Sequence, residues 1–282
     1  MNKDTNQIMA HISAYRMSGL GNNFLIIDRR QDSLEISKNK IIDLANKKVV
    51  PFDQLITLEK KEKNTYPIKI FNPDGIEVDA CGNGSRCIAY LISQENKQNK
   101  ILIKTKERVL NAEIVGKQNI EMNMGKAKFN WEEIPLSENL NTTQIKIDFL
   151  NKEHGYGFCV NVGNPHVIFF VKDCFKINIK EIGPKIENYK YFPERTNVTF
   201  AQVSGKNVID INVWERGAGQ TKACGTAACA TAVAALIKGL VDNKDKRVTI
   251  CFKEGNLYIN YKKEEIFMTG PVSEVKKINL DI

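Results

Sequence analysis

Ala80-Cys81-Gly82-Asn83-Gly84-Ser85-Arg86-Cys87 and Ala223-Cys224-Gly225-Thr226-Ala227-Ala228-Cys229 are two versions of one phrase. Their leading thiols stand 224 − 81 = 143 residues apart in a chain of 282. Each is followed by apolar residues at i, i+3, i+4 (Ile88, Leu91, Ile92; Val233, Leu236, Ile237), the spacing of a helix with one buried face. A thiol at the entrance of a helix in each half of the chain is the pattern from which the remaining sequence is read.

The repetition extends beyond the cysteines. Gly21-Asn22-Asn23-Phe24-Leu25-Ile26-Ile27-Asp28 parallels Gly163-Asn164-Pro165-His166-Val167-Ile168-Phe169-Phe170 at 163 − 21 = 142. Asp53-Gln54-Leu55-Ile56-Thr57 parallels Thr196-Asn197-Val198-Thr199-Phe200 at 196 − 53 = 143. Asn72 and Glu215 each lie nine residues before their cysteine (81 − 72, 224 − 215), and Asn123-Met124-Gly125 parallels Met268-Thr269-Gly270 at 268 − 123 = 145. Offsets that drift so little predict a duplicated half-domain, and a period this long implies two similar lobes rather than a solenoid.

Short apolar runs, many of period two, predict strands at 24–27, 68–71, 101–103, 120–124, 158–162, 167–171, 208–213, 248–252 and 257–259. Helices are predicted over Lys40–Asn46 and Glu181–Asn188, at equivalent places in the halves, and after each cysteine, the second stopping at Lys238-Gly239. Alanines at 223, 227, 228, 230, 232, 234 and 235 let that helix pack closely and centrally. The fold class is α/β, with an N-terminal lobe over 1–126 and a C-terminal lobe over 127–272. The tail 273–282 is expected to return as a strand to the first lobe. The stretch 126–141 lacks periodicity and reads as a crossing between lobes, and the polar residues before Ser13 read as a tail.

Composition is that of a globular chain, 42% hydrophobic and 26% charged. The net charge of +8 comes from scattered lysines (Lys47, Lys48; Lys60, Lys61, Lys63; Lys244, Lys246, Arg247). They form no aromatic-interleaved stripe, so nucleic acid is not expected as a partner. No run reaches membrane-spanning length and residues 1–10 lack an apolar leader core, so neither a membrane nor secretion is expected. The seven cysteines form neither a disulfide framework nor a zinc-type pair. They read as thiols of a cytoplasmic protein, with Cys159, Cys174 and Cys251 as packing residues.

A helix N-terminus carries unpaired N–H groups and a partial positive charge, so a cysteine there is expected to be more acidic than an ordinary thiol. Glycines at 82, 84 and 225 let a ligand approach the backbone, and the same N–H groups can hold a carboxylate. Two such ends facing each other would place a sulfur on each side of an α-carbon. The other reading is a buried apolar cysteine beside a turn, which two matched copies make less attractive. A four-thiolate metal site from Cys81, Cys87, Cys224 and Cys229 has helical rather than knuckle spacing. Ser18-Gly19-Leu20-Gly21-Asn22-Asn23 approaches a dinucleotide fingerprint but lacks the third glycine, and a turn with a substrate-facing Asn22 fits better. His166 alone would be a scaffold histidine. Glu215 and Arg216 are either a surface ion pair or the partners of an ammonium and a carboxylate.

Taken together, SGLGNNFLIID, FDQL, FNPDGIEVDACGNGSRC, GNPHV, PERTNV, ERGAGQTKACGTAACA and MTGP resemble, in order and from Met17 to Pro271, the PLP-independent diaminopimelate epimerases. The resemblance implies two lobes related by a pseudo-twofold, each a curved mixed sheet around a central helix, closing over substrate in the cleft between them. It implies interconversion of LL- and meso-2,6-diaminopimelate in lysine and peptidoglycan-precursor biosynthesis, with no cofactor, no metal, and a homodimer. It makes Cys81 and Cys224 the acid/base pair. Substrate would be held by Asn22, Gln54, Asn72, Asn164, Asn197, Glu215, Arg216 and the backbone at Gly82-Asn83 and Gly225-Thr226. His166 and Glu215 would sit close to the thiols. The chain departs from the pattern at Ser18 for histidine, Asn23 for aspartate and Ala227 for glycine. Two other classes share the raw features: a two-cysteine racemase acting on proline or hydroxyproline, and a non-enzymatic metal or redox module.

Overall fold

The computed structural model describes residues 11–31, 35–47, 50–78, 81–106, 108–242 and 247–281. In chain order the elements are β1 (His11–Gly19), β2 (Asn22–Asp28), α1 (Lys38–Lys47), β3 (Gln54–Leu58), β4 (Thr65–Phe71), β5 (Glu77–Val78), α2 (Gly82–Asn96), β6 (Lys100–Lys104), β7 (Val109–Gly116) and β8 (Asn119–Lys126). There follow β9 (Phe158–Asn161), β10 (Pro165–Phe170), α3 (Ile179–Glu187), β11 (Asn197–Gly205), β12 (Val208–Glu215), β13 (Gly219–Gln220), α4 (Gly225–Ile237), β14 (Arg247–Phe252), β15 (Gly255–Lys262), β16 (Glu265–Pro271) and β17 (Lys276–Asp281). The chain divides into two compact units, Met1–Asn111 with Val272–Ile282, and Ala112–Pro271.

The internal repeat is visible as topology. In the first unit β1 and β2 pair antiparallel, β2 and β3 parallel, β3 and β4 antiparallel, β4 and β5 antiparallel, and β4 and β6 parallel. In the second unit β9/β10, β10/β11, β11/β12, β12/β13 and β12/β14 repeat that series in the same order of directions. The register agrees as well: Phe24 lies opposite Gln54 and His166 opposite Asn197.

Both sheets are covered on both faces, so their central strands read as continuous apolar runs rather than alternating ones. Leu25, Ile27 and Leu55 pack with Ile41 and Leu44 of α1. On the opposite side, Phe24 and Ile56 lie against Gly84 of α2, where a Cβ would come within 2.7 Å of Ile56 and 3.2 Å of Phe24. In the second unit Val167, Phe169, Val198 and Phe200 pack with Ile179 and Ile186 of α3, while α4 packs against β9, β10, β11, β14, β15 and β16. The nine buried residues of α4 are six alanines with Cys229, Thr231 and Val233, which allows the strands to surround it closely. Each fully buried large aliphatic residue, such as Ile26 or Leu55, contributes about 1.5–3 kcal/mol.

The tail forms β17, which pairs antiparallel with β1. Ser18 and Ser273 are tied by two hydrogen bonds of 2.8 Å, Ser18 N–H to Ser273 Oγ and Ser273 N–H to the Ser18 carbonyl. The second unit starts earlier than residue 127, because β8 belongs to it and pairs antiparallel with β16 over Asn119 to Lys126, with one register shift between Ile266 and Phe267. The aperiodic stretch after β8 is packed against the second unit rather than spanning open space: Ile134, Leu136, Ile145 and Ile147 are all buried in its core. Its irregular spacing reflects loop side chains that meet a curved core one at a time. The polar N-terminal residues 1–10 lie outside the described residues. Among the described residues no helix is long and apolar enough to cross a membrane.

Candidate active site

In the first unit Cys81 is the N-cap of α2, with extended backbone (φ −142°, ψ 109°), and its Sγ accepts the Gly84 N–H at 3.4 Å. The N–H groups of the first two helical residues, Gly82 and Asn83, have no partner within the helix. The β1–β2 hairpin turns through Leu20 and Gly21, both at positive φ (50° and 84°), the two-residue turn whose twist matches antiparallel strands. That turn delivers Asn22 to the start of α2: Asn83 Nδ2 donates to Asn22 Oδ1 at 2.8 Å, and the buried Arg86 Nη2 donates to Asn83 Oδ1 at 2.8 Å. Gly19 permits the approach, since a Cβ there would sit 3.1 Å from the Asn83 carbonyl oxygen. Gln54, at the start of β3, donates through Nε2 to Asn72 Oδ1 at 3.2 Å, just past the end of β4. Asn23 uses its backbone, its N–H donating to Asp53 Oδ2 at 2.7 Å. Cys87, one turn and a half along α2, is fully buried and its thiol is pushed up to about 12 by loss of solvent.

In the second unit Cys224 is the N-cap of α4, again extended (φ −134°, ψ 114°), with Sγ 3.4 Å from Thr226 Oγ1. Here the surroundings are charged. Glu215, at the end of β12, accepts a short hydrogen bond from the Thr221 hydroxyl and is hydrogen-bonded to Cys224. Burial raises the Glu215 carboxyl, with those two hydrogen bonds acting in the opposite direction. Burial and then the Glu215 charge drive the Cys224 thiol well above its ordinary range, which the Thr226 hydroxyl and the Ala227 N–H do not offset. The acidity expected of a helix-capping cysteine is therefore reversed at this position: desolvation and a neighbouring carboxylate outweigh the helix end, and Cys224 is held as a thiol.

His166, on β10, is fully buried, with Nε2 2.8 Å from Asn164 Oδ1. Burial, followed by the Arg216 charge, lowers it to about 3, so the ring is neutral at physiological pH. An amide oxygen only accepts, so Nε2 carries the proton and Nδ1 presents a lone pair. Asn197, 2% exposed, donates to the Pro165 carbonyl at 2.7 Å and accepts the Arg216 N–H at 3.0 Å. It fixes the start of β10 and the residue after β12 at once. The Arg216 guanidinium donates to the Glu194 carbonyl at 3.1 Å. Gly225 faces Met268, whose Sδ would be 3.0 Å from a Cβ, so a side chain at this helix start would force Met268 aside. Ala227 is fully buried.

The first unit thus pairs Asn22 with Asn83 in the first turn of α2, and Gln54 with Asn72 at the ends of β3 and β4. The second joins Glu215 and Thr226 to Cys224, and pairs His166 with Asn164 and Asn197 with the Arg216 backbone. Equivalent positions differ in kind. Phe24 stands where His166 stands, Gln54 where Asn197 stands, and Asn72 where Glu215 stands. An ionisable side chain, Glu215, is hydrogen-bonded to the second thiol. Thr221 and Arg86 escaped the sequence reading. Neither falls on an interpretable spacing, and Thr221 could have been noticed only as a hydroxyl lying between the ERGAG and ACGT motifs. All seven cysteines are thiols. Among the described residues no three His, Cys, Asp or Glu side chains are grouped to hold a metal ion.

The family model of diaminopimelate epimerase matches residues 14–130 and 158–275, one segment for each half of the repeat. The chain is 46% identical over 275 residues to the diaminopimelate epimerase of Pelagibacter ubique, covering 96% of this chain and 99% of that protein. It is 39% identical over 262 residues to that of Sphingopyxis alaskensis, covering 92% and 94%. Among solved structures it shares its fold with a hydroxyproline epimerase from Agrobacterium vitis, with a TM-score of 0.65 at 10% identity and coverage of 96% and 92%. Repeat topology, two helix-capping thiols and near-full-length similarity converge on one assignment: the chain belongs to the diaminopimelate epimerase family.

Proposed function

We propose that this protein interconverts LL- and meso-2,6-diaminopimelate by a two-base mechanism in which Cys81 and Cys224 serve as base and acid. The observation that carries the reading is the pair of cysteines at equivalent helix N-caps, in a chain 46% identical over nearly its full length to a protein named for that activity. The scheme requires the two sulfurs to address opposite faces of one α-carbon. In one direction Cys81 takes the α-proton as a thiolate and becomes a thiol. Cys224 delivers its proton to the other face and is left as a thiolate beside Glu215. The reverse direction exchanges the roles. The elevated Cys224 thiol suits the donor, because it keeps its proton until a strongly basic carbanion forms, and its thiolate is readily reprotonated.

The α-proton is acidified by the substrate's own ammonium group and by N–H groups aimed at its carboxylate, which is the work assigned to the helix ends at Gly82-Asn83 and Gly225-Thr226. Arg216, Asn22, Gln54, Asn72, Asn164 and Asn197 hold and orient the substrate, and neutral His166 offers a lone pair without adding charge. No cofactor enters this scheme. The protein is proposed to act in the cytoplasm as a homodimer, upstream of lysine and of peptidoglycan precursors. The decisive assay supplies LL-diaminopimelate in heavy water and follows the meso product. Deuterium should enter the inverted centre, and Cys81→Ala and Cys224→Ala should each abolish turnover. Substantial activity in either variant would exclude the two-base scheme.

A further inference from the structure

Glu187 is the last residue of α3 and is 5% exposed. A carboxylate buried to that degree needs partners, and three are present. Trp214 Nε1 donates to Oε2 at 2.7 Å, the Gly217 N–H donates to Oε1 at 2.9 Å, and Arg195 Nη1 lies 3.3 Å from Oε1. Trp214 lies at the end of β12 and Gly217 in the turn between β12 and β13, one on each side of Glu215 and Arg216. Gly217 sits at φ +75°, a conformation that points its N–H out of the turn and toward α3. The Arg216 N–H is held by Asn197, so the backbone of this turn is gripped at consecutive residues by two buried side chains.

The equivalent turn of the first unit is closed differently. Gly75 N–H donates to the Asn72 carbonyl at 2.8 Å, Asn72 N–H to the Ile76 carbonyl at 2.9 Å, and Ile76 N–H to Asp74 Oδ1 at 2.9 Å. That turn is secured by its own residues. The second-unit turn retains one internal bond, Ala218 N–H to the Glu215 carbonyl at 3.1 Å, and is further held by Asn197 of β11 and Glu187 of α3. Indole and carboxylate are also sterically fixed, since Trp214 packs on Gly183 so closely that a Cβ there would stand 2.6 Å from the ring.

We propose that Glu187 is a positioning residue for the reaction: it clamps the 214–217 turn to α3, so that Glu215 reaches Cys224 and Arg216 meets the substrate. This rests on the proposed epimerase reading. It adds to that reading a buried charge that contacts neither sulfur nor substrate. Glu187→Gln preserves shape but replaces one carboxylate oxygen by an NH2 group, so it cannot accept from both Trp214, which donates to Oε2, and Gly217, which donates to Oε1.

The test compares wild type and Glu187→Gln for epimerisation kinetics against pH, thermal melting, and hydrogen exchange of the Gly217 amide. The expected result is a folded variant with kcat/KM lowered roughly tenfold to a hundredfold, the order expected when a reacting group is displaced by about an ångström. KM should rise through Arg216, the pH profile should shift through Glu215, and the Gly217 amide should exchange faster. A folded variant with wild-type kcat/KM and pH profile, whatever its melting temperature, overturns the proposal. If the wild-type protein does not epimerise diaminopimelate, the functional reading falls, and Gly217 exchange alone judges the clamp: faster exchange in the variant supports it, unchanged exchange overturns it. If the variant does not fold, exchange in the wild type decides, a protected Gly217 amide supporting the clamp and one exchanging like open loop overturning it.

Discussion

Replacing Glu215 by glutamine removes a charge beside Cys224 while leaving the volume of the side chain, and so the burial, almost unchanged. The carboxylate raises the thiol because a thiolate forming there would meet a like charge across a hydrogen bond. Two unit charges about 4 Å apart at an effective dielectric of about 20 repel by about 4 kcal/mol, which is the order of the effect that opposes ionisation of the thiol. Solvent reaching the partly buried carboxylate reduces this, so the expected result is a fall in the thiol's titration midpoint smaller than the full repulsion would give. Burial, the larger cause, persists, and the thiol should remain above its ordinary range. The assay is the pH dependence of iodoacetamide alkylation at Cys224 in a Cys81→Ala background, with the modified residue assigned by mass spectrometry. The midpoint should move to lower pH in the Glu215→Gln protein. An unchanged or higher midpoint would refute the electrostatic account of why Cys224 rests as a thiol.

His166 predicts a pH-dependent stability with a defined sign. Its folded pKa is about 3 against the usual 6.5, so between those values the unfolded chain binds the extra proton and stability rises with pH. Stability is accordingly lost as pH falls through 6.5 toward 3. At pH 5 the loss from this group is about 2 kcal/mol, from 1.5 pK units at 1.36 kcal/mol each. Urea denaturation at pH 7 and pH 5 should show that difference shrinking by a similar amount in His166→Gln. Gly183→Ala places a Cβ 2.6–2.9 Å from Trp214 and should cost about 1–3 kcal/mol by overpacking. Urea denaturation measures it, and a cost below about 0.5 kcal/mol would mean that Trp214 is free to move.

Much of the fold was legible because it is local and repeated. The apolar runs Phe24–Ile27 and Val167–Phe170 announce doubly covered strands, and the spacing after each cysteine announces a helix. β1 and β11 were less legible: strands such as HISAYRMSG carry polar residues that only their neighbours accommodate. The membership of β8 and the docking of 134–147 were not legible either, since both depend on long-range pairing and packing. The residues around each thiol could be named from motifs. What each does locally could not, as the case of Asn83 illustrates. Its side chain is engaged between Asn22 and Arg86, a contact set by a hairpin 61 positions away.

The sequence by itself determined that the chain is a repeat, that each half begins a buried helix with a cysteine, and which family this signature resembles, because periodicity and spacing are properties of the chain. Only the tertiary structure decided that Cys224 rests as a thiol rather than as the acidic cysteine its helix end suggests. Desolvation and Coulomb interactions depend on distance in space. They arise at Cys224 from Glu215, nine residues before it, and from enclosure by the second unit's sheet, while the same position in the first unit carries the uncharged Asn72. The motif sets where Cys224 stands on its helix, and the carboxylate folded beside it sets how firmly that thiol holds its proton.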